Sequence, residues 1–219
     1  MGITAENLAV KYSITRERQE EFAVESQSRA YKASEAGAFS EEIIPIETEF
    51  GTVSDDGCIR PGTDSATLAG PRPAFLSEGS VTAGTSSPLT DGAAFVLVCS
   101  EEFAKKNRLK PLARIVSTAV TGCAPEIMGI GPVEATKKAL SRAGLGLEDL
   151  DIIELNEAFA AQSLAVIEEL GLDPEKVNTE GGAIALGHPL GASGARITCL
   201  LYTSPSPRDQ RGSRMPSSA

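Results

Sequence analysis

The chain has 219 residues, with 20 Lys and Arg against 30 Asp and Glu, a formal net charge of −10 and a single histidine. That length holds one large domain or two small ones with a core, and net acidity excludes a nucleic-acid surface or an anionic membrane as partner, because both reward clustered Lys and Arg. No apolar run approaches the roughly 20 residues that span a bilayer, the N-terminus lacks the basic and apolar regions of a secretion signal, and Glu6 stands where a myristoylation motif wants Ser or Thr.

In chain order, the first 40 residues read as polar helix. Thr4 and Thr15 are placed as N-caps, and Phe22, Ala23, Ala30 and Ala33 leave a thin apolar stripe on a charged helix that Gly37 can end. Such a helix packs weakly on its own. From Ile43 to Gly84 the pattern breaks into short extended pieces between Gly, Pro, Asp and Ser, a loop-rich stretch. Asp91–Cys99 is an apolar run of strand length, followed by a short helix over Ser100–Lys106.

After Pro111 the rhythm becomes regular. Ala113–Val120 reads as a strand, Pro132 opens a helix that Gly144 can close, and Asp151–Leu155 reads as a second strand. Asn156 then opens a helix whose apolar side carries Phe159, Val166, Ile167 and Leu170, and the loop around His188 opens another at about Ala192. The alternation predicts a layered α/β domain, with ligand chemistry at the loops beyond the carboxyl ends of the strands. Residues 202–219 are rich in Ser, Pro and Arg and cannot supply core.

Chemistry concentrates at His188, framed by Gly181, Gly182, Gly187, Gly191 and Gly194. A ring that titrates near neutral pH, where backbone can approach a ligand closely, fits catalysis; a structural histidine fits as well. Ser193 invites a serine-hydrolase reading, but Ala195 breaks the G-x-S-x-G pattern and a base five residues away is an unusual triad arrangement. Gly129-Ile-Gly131 does not continue into a dinucleotide fingerprint, and no Walker-type G-K-[ST] exists. Asn156 fits an N-cap or a functional amide that holds a water or polarises an oxyanion beside His188. Cys58, Cys99, Cys123 and Cys199 are widely spaced with no C-x-x-C pair, so neither a metal site nor a disulfide scaffold is expected, and a reducing compartment is.

Asn178–Gly194 fits the glycine-histidine-proline signature of the thiolases, and Asn156-Glu-Ala-Phe-Ala160 fits their second active-site motif. Ser80–Ala94 and Met128-Gly-Ile-Gly-Pro132 match further, so the chain resembles that family over roughly residues 1 to 200. With Thr85-Ser-Ser87 in the third motif, it resembles degradative 3-ketoacyl-CoA thiolases (acetyl-CoA C-acyltransferases) more than acetoacetyl-CoA-forming ones. The resemblance implies a partial thiolase-like α/β/α fold with a loop-rich helical excursion domain over 1–84. Residues 85–110 would then be the last strand and helix of the N-terminal half, 111–201 a truncated C-terminal half, and 202–219 a non-family tail.

The same resemblance implies a function. The full protein would cleave 3-ketoacyl-CoA to acetyl-CoA and a shortened acyl-CoA in fatty-acid β-oxidation, with coenzyme A as co-substrate and no bound cofactor or metal. His188 would be the base that activates a nucleophilic cysteine, and Asn156 would hold a water in the oxyanion hole. Ser87, Phe159, Met128, Ala83, Phe75 and Thr67 resemble residues that meet the substrate and CoA. Neither family cysteine is expected in this chain: the nucleophile would lie upstream of Met1, and the Cys-x-Gly strand would follow the last helix, where the tail stands. Gly70-Pro71 replaces the family's usual Lys-Leu beside the CoA phosphates. The chain alone is therefore expected to be inactive. The alternative is a thiolase-like protein that binds acyl-CoA or lipid without turnover; a third reading is a truncated frame with an exposed apolar face. The full protein would be a homo-oligomer, in some cases part of a fatty-acid oxidation complex. It would be cytoplasmic if bacterial, mitochondrial or peroxisomal if eukaryotic.

Overall fold

Two helices open the chain, α1 over Gly2–Lys11 and α2 over Arg16–Glu35. The computed structural model describes residues 1–203; the expectation for the 202–219 tail lies, from 204 on, outside the described residues. Thr15 caps α2 as expected, its Oγ1 accepting from the Arg18 amide at 3.3 Å, and Gly37 follows the last turn at φ +74°. Thr4 is not a cap. It lies inside α1, whose N-cap is Met1, and its Oγ1 donates to the Met1 carbonyl at 2.6 Å.

Helix α2 also corrects the expectation of weak packing. Ala23 and Ala30 are fully buried, and so are the polar Gln19, Ser26 and Gln27 that interrupt the apolar stripe. Small residues let neighbouring backbones come close, and Gln19 Nε2 donates to Ser80 Oγ at 2.9 Å while Gln27 Oε1 accepts from the Arg60 amide at 2.8 Å; Gln19 Oε1 is buried with no partner among the described residues. The helix is a central strut.

The loop-rich stretch contains a hairpin of β1 (Ile46–Thr48) and β2 (Gly51–Val53), antiparallel with Ile46 opposite Val53. Next comes α3 (Ser65–Ala69), capped by Asp64, whose carboxylate accepts from the Thr67 amide at 2.7 Å. Arg16 on α2 holds the far end of α3, its Nη2 donating to the carbonyls of Leu68, Ala69 and Pro71. Ser100 caps the expected short helix α4 (Glu101–Lys106).

Helix α5 (Gly131–Ala143) begins at the Pro132 signal and ends at Gly144, φ +68°. Helix α6 (Ala160–Leu170) follows, then the single turn α7 (Ala183–Leu186) and finally α8 (Ser193–Thr203). The largest apolar cluster joins Val133 of α5 to Val166, Ile167 and Leu170 of α6, with Leu155, Leu172 and Val177. A second cluster seats Ala30 and Ala33 of α2 against Ala185 and Leu186 of α7 and Leu200 of α8.

The expected strands at 91–99, 113–120 and 151–155 differ most. None forms a ladder; of these segments only Ile153 makes a bridge, parallel to Val177. A strand's backbone bonds lie on its neighbours, and no neighbouring strand flanks 91–99 or 113–120 among the described residues. Segment 113–120 instead lies along α5, where Ser117 Oγ donates to the Ala139 carbonyl and Arg142 to the Thr118 carbonyl. Its apolar side chains remain outside: Val120 is 85% exposed, and Phe95 in the other segment is 92% exposed.

Candidate active site

The site is built around a buried carboxylate. Glu157, next to Asn156, is 1% exposed, and its two oxygens accept from Ser26 Oγ (2.7 Å), Asn178 Nδ2 (2.8 Å) and the Ile184 amide (3.1 Å). Burial pushes this carboxyl's pKa up, while the three donors and the Arg196 guanidinium pull against that rise. Asn178 doubles as a strand surrogate: its side chain donates to the Leu155 carbonyl and accepts from the Leu155 amide, both at 2.8 Å. Its own φ of +48° is a conformation Asn tolerates better than most residues.

The next residues show what the glycines do. At Gly181 (φ +81°) a Cβ would fall 2.6 Å from both Ala30 Cβ and the Ser26 carbonyl oxygen of α2, and at Gly182 it would strike the Glu157 carboxylate. The Gly182 amide donates to Ser26 Oγ at 3.1 Å. Gly187 (φ +89°) packs the same way against Thr90. The sequence suggests close approach of a ligand at these glycines, and the structure places the chain's own Ser26, Ala30, Glu157 and Thr90 there. Gly191 and Gly194 face open space.

This packing delivers His188 to Asn156. The Asn156 amide nitrogen lies 3.4 Å from His188 Nε2, and Ser193 Oγ lies 2.7 Å from Nδ1. Asn156 does not cap α6, which starts four residues later with Phe159 in the N-cap place. Its Oδ1 is instead buried with no hydrogen-bond partner among the described residues, an arrangement that costs about 1–3 kcal/mol. Burial, and then the charge of Arg196, lower the His188 pKa below its usual value, so the ring is mainly neutral at pH 7. Such a pair can accept a proton at Nε2 and offer an amide to a developing oxyanion.

Glu154 lies close by in an acidic setting. Burial, helped by the charges of Glu157 and Glu180, pushes its carboxyl pKa up to about 8. Among the described residues no group of His, Cys, Asp and Glu is placed to hold a metal.

Three of the other expected contact residues gather behind Asn156. Ser87 donates its amide and its Oγ to the Ala158 carbonyl, at 3.1 and 3.2 Å, while Phe75 meets Phe159 edge to face with ring centres 5.7 Å apart. Thr67 and Ala83 are exposed on α3 and on the 83–85 turn, two elements that abut where Leu68 meets Gly84. Met128 is 45% exposed in the turn before α5. Cys99 and Cys123 are exposed, Cys58 and Cys199 half-buried, and both ring nitrogens of His188 face other partners than a thiol. Ser26, Glu157 and Asn178 were not singled out from sequence. The one signal was the recurrence of polar Gln19, Ser26 and Gln27 on a single face of α2.

Comparison with known proteins gives matches along nearly the whole chain. Residues 1–102 match the thiolase N-terminal domain and residues 109–213 the thiolase C-terminal domain. The mitochondrial 3-ketoacyl-CoA thiolase of Rattus norvegicus is 54% identical over 205 residues, which cover 92% of this chain and 52% of that protein. Among solved structures, the Bacillus anthracis acetyl-CoA acetyltransferase superposes with a TM-score of 0.90 at 50% identity, covering 97% of this chain and 54% of that one. The human mitochondrial 3-ketoacyl-CoA thiolase in complex with CoA superposes at 0.88 and 48% identity, covering 97% and 53%. The chain thus spans about half the length of the relatives it matches.

Proposed function

Because the chain belongs to the thiolase family, we propose that it carries the general base and oxyanion amide of an acyltransferase that cleaves 3-ketoacyl-CoA thioesters by thiolysis. The observation that carries this reading is the pairing of His188 Nε2 with the Asn156 amide nitrogen at 3.4 Å, which sets a base and an N–H donor side by side. In the reaction, His188 Nε2 takes the proton of a cysteine thiol and the thiolate adds to the 3-keto carbon. The C2–C3 bond breaks, its electron pair passing to an acetyl-CoA enolate that is then protonated, and a second CoA thiol displaces the acyl group from the enzyme. Asn156 stabilises the oxygen on which negative charge develops.

The degradative direction rests on the Thr85-Ser86-Ser87 sequence and on the relative named 3-ketoacyl-CoA thiolase. Relatives named acetyl-CoA acetyltransferase make condensation the competing direction. Ser87, Phe75 and Phe159, joined to the loop that bears Asn156, would guide the pantetheine arm. Among the described residues the ring nitrogens of His188 meet Asn156 and Ser193 rather than a thiol, so by itself this chain would bind CoA without turnover.

Calorimetric titration with CoA, run beside an assay of CoA-dependent acetoacetyl-CoA cleavage, tests this reading. Binding without cleavage is expected of this chain; cleavage by the purified chain would overturn the claim of inactivity, and failure to bind would overturn the CoA site. In a longer protein containing this sequence, His188→Ala and Asn156→Ala would each lower cleavage by at least about 100-fold. A longer protein that binds acyl-CoA and never cleaves it would establish the non-catalytic alternative.

A further inference from the structure

We propose that Ser193 is the positioning residue of His188, fixing the ring as the Nδ1–H tautomer so that Nε2 is unprotonated and carries the basic lone pair. The proposal rests on the reading of His188 as a base, and it concerns which ring nitrogen does the work. Ser193 is 4% exposed and sits in the first turn of α8. That turn folds back on the histidine: the amides of Ala192 and Ser193 donate to the Pro189 carbonyl at 2.8 and 2.9 Å, and Ser193 Oγ reaches the same carbonyl at 3.2 Å. With its hydrogen directed there, the hydroxyl oxygen presents a lone pair to Nδ1 at 2.7 Å, and a neutral ring meets a lone pair with its N–H.

The opposite side of the ring is compatible with this. The Asn156 amide nitrogen lies 3.4 Å from Nε2, and in the Nδ1–H tautomer an unprotonated Nε2 accepts from it. The Ser193 contact selects the tautomer, and the basic nitrogen is turned toward Asn156. Ser193 thereby takes the part that an orienting carboxylate plays in a serine-hydrolase triad, on the Nδ1 side. A nucleophilic serine would stand at Nε2. The spacing that makes Ser193 an unusual nucleophile suits it as an orienter.

A single histidine makes the test direct, because a long-range proton–nitrogen correlation spectrum of the ¹⁵N-labelled chain contains one imidazole. Magic-angle spinning of sedimented protein gives the same readout if the chain self-associates. Above the ring's titration, the unsubstituted chain is expected to show a protonated Nδ1 and an unprotonated Nε2. Ser193→Ala should move the population toward the Nε2–H form that free imidazole side chains favour, whereas Ser193→Thr, which keeps the hydroxyl, should not. A protonated Nε2 in the unsubstituted chain would overturn the proposal, and so would an unchanged tautomer in Ser193→Ala; if that variant does not fold, the unsubstituted spectrum decides alone. In a longer, active protein, Ser193→Ala should lower kcat by at least about 10-fold with little change in KM. The tautomer is read without turnover, so failure of the thiolysis reading and failure of this one leave different records.

Discussion

Replacing Ser26 by Ala removes one oxygen and disconnects two segments. Ser26 Oγ donates to Glu157 Oε2 at 2.7 Å and accepts from the Gly182 amide at 3.1 Å, in a site where the serine is 4% exposed. A hydrogen bond to a carboxylate contributes about 1.5–3 kcal/mol, and a buried N–H left without a partner costs about 1–3 kcal/mol. Ser26, Glu157 and Asn178 line a cavity of about 300 Å³, so a water that enters it and restores one of the bonds would bring the loss toward the lower end of these ranges. The two effects overlap, because both arise from one hydroxyl, and a net loss of about 3 kcal/mol is expected, roughly 150-fold in the folding equilibrium. Urea unfolding followed by circular dichroism measures it: the midpoint should fall with the m-value unchanged. A loss below about 0.5 kcal/mol would refute the view that this clamp bears on the structure. Ser26→Thr, which retains the hydroxyl, should lose less than the alanine variant if the added methyl is accommodated.

The pH dependence has a definite sign. With Glu154 raised from 4.5 to about 8, the folded chain holds a proton that the unfolded chain has released, so stability should fall as pH rises from about 4.5 to 8, by a few kcal/mol at most. Glu154→Gln should flatten that decline in urea midpoints taken across the range; an unchanged slope would remove Glu154 as its source. His188 acts oppositely, since its lowered pKa means the unfolded state gains the proton first as pH falls through 6.5, and stability drops there. Arg16→Ala releases three carbonyls at the end of α3, two of them partly buried. A loss of about 1–3 kcal/mol and faster proteolytic nicking near residues 64–72 are expected, and an unchanged cleavage pattern would contradict the anchoring role. The exposed Phe95, Leu97, Val98, Ile115 and Val120 predict concentration-dependent association in sedimentation velocity. Leu97→Lys with Val98→Lys should reduce it, and a monodisperse unsubstituted chain would refute the expectation.

Local signals were legible and long-range ones were not. Thr15, Gly37, Pro132 and Gly144 mark helix ends in the sequence and sit at helix ends in the structure, because capping depends on neighbours three or four residues away. Thr4 misled because a threonine side chain can bond to a carbonyl three residues back as readily as it caps. The apolar runs at 91–99 and 113–120 have strand composition, but a ladder requires a partner, and none flanks them among the described residues. For α2, the stripe of Phe22, Ala23, Ala30 and Ala33 counted only apolar surface. Buried Gln19, Ser26 and Gln27 bond to Ser80, Glu157 and Arg60, and no helical periodicity encodes partners so distant.

The site separates along the same line. His188 and Asn156 stand out because each lies in a local pattern that only chemistry or capping explains, and the structure removes the capping explanation for Asn156. What sets their 3.4 Å separation is elsewhere: Glu157 grips Ile184 on the histidine side, and Ser26, 131 positions away, joins Glu157 to Gly182. A side chain at Gly182 would occupy the carboxylate's own space, and one at Gly181 would push α2 away. These two glycines therefore serve the base indirectly, by letting a carboxylate and a helix stand where the sequence suggested a ligand.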